Sequence, residues 1–203
     1  MDLFPSEPPQ NLLPCDGVVI HHGEVLPPQE ADRLFAVLTD DVPWQHDEVV
    51  LYGRHITTAR RMAWYGDEGA AYTYSGITRR PLAWSPDLLA LKSTVEHVSG
   101  AHFNSCLLNA YADGTQGMGW HSDEEKMLGR DPTIASVSLG AARRFCFKHR
   151  VTGLKTETLL DHGSLLVMSG ATQHHWLHSL PKAARVTAPR INLTFRLIHN
   201  LAK

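Results

Sequence analysis

The chain has 203 residues, a hydrophobic fraction of 43% and a formal net charge of -2. That length suits one domain with a well-buried core, and the near-neutral charge sets the chain apart from strongly basic nucleic-acid binders without excluding DNA as a partner. Cys15, Cys106 and Cys146 lack C-x-x-C spacing, which excludes a disulfide framework and a zinc ribbon; with no leader pattern and no apolar run of about 18 residues, a protein without membrane contact, cytoplasmic or nuclear in a eukaryote, is the expectation.

In chain order, Pro-rich residues 1–16 read as a flexible arm and 17–203 as a single domain. "GVVIHH" (17–22) predicts a strand. Residues 27–41 predict a helix, with Ala31, Leu34, Phe35 and Leu38 at helical spacing. Segment 44–80 interleaves aromatic and basic residues ("VVLYGR", "ARRMAWYGD", "YTYSG", "TRR") and reads as hairpins and loops. Residues 85–100 predict a second helix, capped by Ser85, started by Pro86 and stopped by Gly100, with Leu88, Leu91, Val95 and Val98 as its apolar stripe. Beyond Gly100 the period falls to two, predicting strands at 103–111, 134–139, 144–149, 156–160, 164–168 and 190–198 and no further helix. The expected class is mainly β with flanking helices (α+β), an antiparallel sandwich or barrel with the helices on one face.

Chemistry concentrates in the second half. "GWHSDEE" (119–125) holds His121 and Asp123, and on a strand residues two apart share a side and can reach one ion. Alone the pair says little, because 13 histidines make H-x-D and H-x-E spacings common. A non-haem iron site needs a third ligand, and His174, His175 and His178 of "QHHWLHSL" are candidates. "PRINLTFRL" (189–197) alternates Ile191, Leu193, Phe195 and Leu197 with Arg190, Asn192, Thr194 and Arg196. Its polar face either meets water, as in an ordinary half-buried strand, or points into a barrel. In a barrel two guanidinium groups require an anion, which a small dicarboxylate would supply. Asn109 and Tyr111 of "LLNAYADG" share a face in the same way.

In order and spacing, Asn109-x-Tyr111, His121-x-Asp123, His178 and Arg190-x-Asn192-x-Thr194-x-Arg196 resemble the AlkB family of iron(II)- and 2-oxoglutarate-dependent dioxygenases, which remove alkyl groups from nucleic-acid bases. "SPDLL", "PTIASVSLGAARRFCFKH", "HGSLLVMSG", "HHWLHSLP" and "APRINLTFR" look similar to the human branch that prefers double-stranded DNA. The resemblance implies a double-stranded β-helix (jelly roll, cupin-like) core over 101–200 and an N-terminal nucleotide-recognition lid over 44–80. It implies His121, Asp123 and His178 as ligands of Fe(2+), with O2 as oxidant. It further implies Arg190 at the distal carboxylate of 2-oxoglutarate, Arg196 near its chelating end, and Asn109, Tyr111, Asn192 and Thr194 as further cosubstrate contacts. For the substrate it implies Tyr72 and Tyr74 against a flipped base, with Glu125 reading its amino edge. Leu51, Tyr52 and Gly53 would form a finger filling the vacated stack, and Arg60 would touch the strand or pocket. The expected reaction is oxidative demethylation of alkylated DNA, single- or double-stranded, by a monomer. Tyr52 in the finger and the sparsely basic "KAARV" depart from the duplex-binding branch and predict weaker, less salt-sensitive duplex binding. Two alternatives stand beside this: the same chemistry on methylated RNA or a protein side chain, and a catalytically silent nucleic-acid-binding module.

Overall fold

The computed structural model describes residues 10–51, 54–68, 72–74 and 77–199. In chain order it contains β1 (Val18–Glu24), α1 (Pro28–Asp41), β2 (Gln45–Leu51), β3 (Arg54–Gly66), β4 (Tyr72–Tyr74), β5 (Ile77–Arg79), α2 (Pro86–Ser99), β6 (Ser105–Tyr111) and β7 (Met118–His121). A 3-10 turn at Lys126–Leu128 leads to β8 (Ile134–Gly140), β9 (Arg143–His149), β10 (Lys155–Leu160), β11 (Ser164–Ser169), α3 (Thr172–His175), β12 (Trp176–Leu180) and β13 (Arg190–Arg196).

Both long helices form where the spacing predicts them. The Ser85 hydroxyl accepts the Leu88 N–H at 3.2 Å, and Gly100, at φ 66, closes α2 by donating to the Glu96 carbonyl. A side chain at that left-handed position would be strained, so the glycine ends the helix. Ala31, Leu34, Leu38, Leu88, Leu91 and Val95 are buried, with Phe35 and Val98 packed partly against the same cluster.

Two antiparallel sheets make the body of the protein. The larger runs β1-β11-β8-β13-β6-β3-β2 and the smaller β10-β9-β12-β7. One face of the large sheet packs against α1 and α2 through Val137, Leu139, Ile191, Leu193 and Phe195. Its other face meets the small sheet, where Ile134, Leu166 and Met168 pack with Phe147, Leu160 and Trp176. This is the expected jelly roll with helices on one side. The last strand, β13, lies between β6 and β8, setting Arg190 opposite Tyr111 and Asn192 opposite Asn109.

Three features differ from the sequence reading. A 3-10 turn and α3 follow α2, although no further helix is expected there. Each is about one turn long, too short for a 3.6-residue period to register. Within segment 44–80, β2 and β3 pair as a hairpin and β4 and β5 as a two-stranded sheet, but β3 goes beyond a hairpin and joins the large sheet, pairing with β6 from Arg61–Ala110 to Gly66–Ser105. Residues 10–16 of the Pro-rich arm are docked: Leu13 is buried, the Asn11 side chain accepts from Leu13 and Val19 N–H, and the Trp176 indole donates to the Cys15 carbonyl. A single anchoring leucine leaves no periodic signal.

Leu34 is 2% exposed in the helix-sheet cluster. Leu34→Ala should lower unfolding free energy by about 2–5 kcal/mol in a urea titration; a loss under about 0.5 kcal/mol would mean that α1 does not carry this packing.

Candidate active site

His121 ends β7 directly opposite His178 of β12. Their ring centroids lie 4.2 Å apart at 64°, and one ligand atom from each, with a carboxylate oxygen of Asp123, falls within 4.8 Å of the others. The hydrogen bonds prepare these groups for a cation. His121 Nδ1 lies 2.8 Å from the Gly119 carbonyl, which can only accept, so Nδ1 carries the proton and Nε2 keeps its lone pair. Burial, with the neighbouring His121, pushes His178 down to about 3, leaving a neutral imidazole at pH 7. Burial alone would raise the Asp123 carboxyl, but Arg196 and then the two histidines hold it below its usual range.

Asp123 lies beyond the end of β7, so shared strand geometry does not aim it. Two contacts do: Arg196 Nη2 donates to Oδ1 at 3.0 Å, and the Asp123 N–H donates to the Gln173 side-chain oxygen at 2.9 Å. Gln173, 1% exposed on α3, was not singled out by sequence, since a glutamine next to two histidines carries no motif of its own.

The polar face of β13 points inward, so the solvated alternative fails: Arg190 and Thr194 are buried. Arg190 Nη2 donates to the Ser138 hydroxyl at 2.9 Å and to the Asn192 side-chain oxygen at 2.7 Å, and its guanidinium lies 5.6 Å from the centre of the Tyr111 ring. Its Nε has no partner among the described residues. Burial pushes Arg190 down to about 10, still charged at neutral pH, and such a cation favours an incoming carboxylate. Asn192 in turn donates to Thr194 at 2.9 Å and accepts from Ser136 at 3.0 Å. Buried Asn109 accepts from Arg60 Nε at 3.0 Å, which places Arg60 against this inner row.

The other candidates separate. Glu125 is exposed at the cap of the 3-10 turn, and its charge, after that of Asp123, helps hold the half-buried Arg196 protonated against the cost of desolvation. Glu124 pairs with Arg150 at 3.0 Å, His174 with Asp131 at 3.2 Å, and His175 stacks on His149, so none of these joins the triad. Leu51 ends β2, and Tyr72 and Tyr74 pair with Arg79 and Ile77 across β4 and β5. Tyr52 and Gly53, and the side chains of those three residues, lie outside the described residues.

Cys15, Asp16 and His149 form a second cluster with metal-ligand spacing. Its hydrogen bonds run the other way. The N–H groups of Val151 and Thr152 both point at His149 Nδ1, at 3.2 and 3.1 Å, so the proton sits on Nε2 and goes to Asp16 at 3.2 Å. A metal at Nε2 would need that proton moved to a nitrogen already facing two donors. The cluster is a clasp between the arm and the turn after β9.

Two imidazoles and a carboxylate converging inside a jelly roll, beside a buried cation that no carboxylate among the described residues hydrogen-bonds, define a mononuclear non-haem metal oxygenase that takes an anionic cosubstrate. The donor set, and a buried Arg190 whose Nε has no partner among the described residues, fit iron(II) with 2-oxoglutarate. The 2OG-Fe(II) oxygenase superfamily model matches residues 17–196. The chain is 41% identical over 197 residues to mouse DNA oxidative demethylase ALKBH2, covering 92% of this chain and 80% of that protein. It is also 41% identical over 180 residues to the human ALKBH2 (83% and 69% covered) and 41% over 181 residues to bovine alpha-ketoglutarate-dependent dioxygenase alkB homolog 3 (84% and 63%). The solved structure of OsALKBH1 superposes with a TM-score of 0.63 at 15% identity, over 94% of this chain and 100% of that one. The chain therefore belongs to the 2OG-Fe(II) oxygenase superfamily and, within it, to the AlkB family, with iron(II), 2-oxoglutarate and dioxygen as cofactor and cosubstrates.

Gln173→Ala leaves the Asp123 N–H buried without its partner. The expected loss is about 1–3 kcal/mol of stability together with about tenfold weaker cobalt(II) binding, measured by denaturation and by absorbance titration; unchanged cobalt affinity would show that Arg196 alone aims the carboxylate.

Proposed function

We propose that this protein repairs alkylated DNA by oxidative demethylation of bases such as 1-methyladenine and 3-methylcytosine. The observation that carries the proposal is the convergence of His121, Asp123 and His178 beside the inward cationic row of β13, in a chain 41% identical to proteins named DNA oxidative demethylase. His121, through Nε2, His178 and Asp123 would hold the iron. Bound there with 2-oxoglutarate and dioxygen, it would supply the oxidising power for hydroxylation of the N-methyl group, with succinate and carbon dioxide from the cosubstrate and formaldehyde from the methyl as products.

The chain's own residues bind, orient and exclude. Arg190 receives the distal carboxylate, with Tyr111, Asn192 and Thr194 around it. Arg196 keeps Asp123 ionised and stands near the chelating end of the cosubstrate. Because Arg60 occupies the Asn109 oxygen, the Asn109 amide N–H groups remain for a cosubstrate carboxylate. Phe145, its ring 5.5 Å from that of His178, keeps water from the reacting face. Tyr72 and Tyr74 hold the flipped base with His121 as the opposite wall, Glu125 accepts from its exocyclic amino group, and Leu51, Tyr52 and Gly53 fill the gap left in the stack. The protein works as a monomer where the genome is, in the cytoplasm or, in a eukaryote, the nucleus. Among the described residues no helix is long and apolar enough to cross a membrane.

Mass spectrometry of oligonucleotides carrying 1-methyladenine or 3-methylcytosine, single- and double-stranded, with iron(II) and with or without 2-oxoglutarate, tests the reading. Cosubstrate-dependent loss of the methyl group is expected, and His178→Ala should abolish it together with metal binding. Slow 2-oxoglutarate consumption without demethylation of either form would move the substrate to RNA or a protein side chain. Tyr52→Ala should reduce turnover on duplex and spare single strands; equal effects on both would remove the finger from the account.

A further inference from the structure

We propose that Arg143 is a positioning residue of the metal site: its guanidinium sets the spacing of the two strands that present His121 and His178. The inference rests on the reading of those histidines as ligands.

Arg143 opens β9, 2% exposed, on the inward side of the small sheet. Nη2 donates to the Gln116 carbonyl at 2.9 Å and to the Pro181 carbonyl at 2.7 Å, and Nη1 reaches the Asp113 carbonyl at 3.4 Å. Gln116 stands two residues before β7 and Pro181 directly follows β12, so one planar group ties the open ends of both ligand strands. That tie matters because β7 is a four-residue edge strand. It is registered to β12 through two pairs, His178–His121 and Leu180–Met118, with an irregularity between them. Further out, Gly114 donates to the Val186 carbonyl and Ala183 to the Gly114 carbonyl, both at 2.7 Å, closing the same two segments around the guanidinium.

The chemistry suits a clamp. A guanidinium is a rigid fork of five N–H donors and can hold carbonyls from separate segments at once, which a lysine ammonium does only as a point charge. No carboxylate is hydrogen-bonded to Arg143 among the described residues; its bonded partners are main-chain carbonyls. Its charge therefore goes into backbone geometry. Loosening the clamp frees β7 to drift from β12, and with it the distance between the two ligating rings, as outer partners of metal ligands commonly tune affinity.

The test is titration of metal-free protein with cobalt(II), followed by visible absorbance, with thermal unfolding of each metal-free variant. R143M should weaken cobalt(II) binding about tenfold or more while still melting cooperatively, and R143K should recover part of the loss. R144M, at the exposed neighbour that pairs with Glu157, should bind as wild type. A folded R143M with wild-type cobalt affinity would overturn the proposal and leave Arg143 a stability residue. If R143M does not fold, G117A takes its place. A Cβ at Gly117 would meet the Leu180 carbonyl oxygen at 2.5 Å and pry the same strands apart with Arg143 intact, so wild-type affinity there is equally fatal. An H178A variant that binds cobalt(II) like wild type would instead sink the ligand assignment, and this inference with it.

Discussion

The 3.0 Å contact from Arg196 to Asp123 joins the end of the last strand to the loop beyond β7, bringing together residues 73 positions apart at the centre of the barrel. Asp123 is 5% exposed, and an isolated carboxylate so deep would take up a proton and cease to be a good ligand. Arg196 reverses that. The arginine in turn is tolerable in a buried strand because the aspartate is there. The site is therefore electrostatically assembled before any ion arrives, and the sheet order that sets β13 beside β6 and β8 serves this meeting.

β13 also explains how a strand can be buried on both faces and still be half polar. Ile191, Leu193 and Phe195 enter the helix-facing core, while Arg190, Asn192, Thr194 and Arg196 look toward the small sheet. Along that inner row each polar group finds another: Arg190 bonds Asn192, Asn192 bonds Thr194 and Ser136, and Ser138 supports Arg190. At the Arg190 end the guanidinium Nε has no partner among the described residues. The fold thus supplies the Arg196 end of the row with its own carboxylate, Asp123, and the Arg190 end with neutral hydroxyl and amide partners.

Much of this was legible in the sequence because it is written in period and punctuation. Both helices, with Ser85 and Gly100 at the ends of α2, and the alternation of β13 follow directly from local spacing. Whether the polar half of β13 faced water or a cavity did not, because that depends on the small sheet lying opposite. β7 and β12 escaped for a related reason: they are four and five residues long, and His121 and His178 interrupt the apolar alternation that would have marked a strand. Arg143, and the Gln173 contact that supports Asp123, were invisible because the partners are backbone groups. A bond to a main-chain N–H or carbonyl can come from any residue at the partner position, so no residue pattern announces it.

Thirteen histidines would ordinarily make a protein vulnerable to loading the wrong ion in the wrong place. Here the group behind the ring sorts two of the clusters. A carbonyl at the back of His121 turns its lone pair toward the barrel; a pair of amides at the back of His149 turns its hydrogen toward Asp16 instead. Two sites with similar side-chain inventories are thereby given opposite polarity by the peptide backbone. The backbone behind each ring, a strand carbonyl for His121 and turn amides for His149, sets which ring nitrogen faces its cluster.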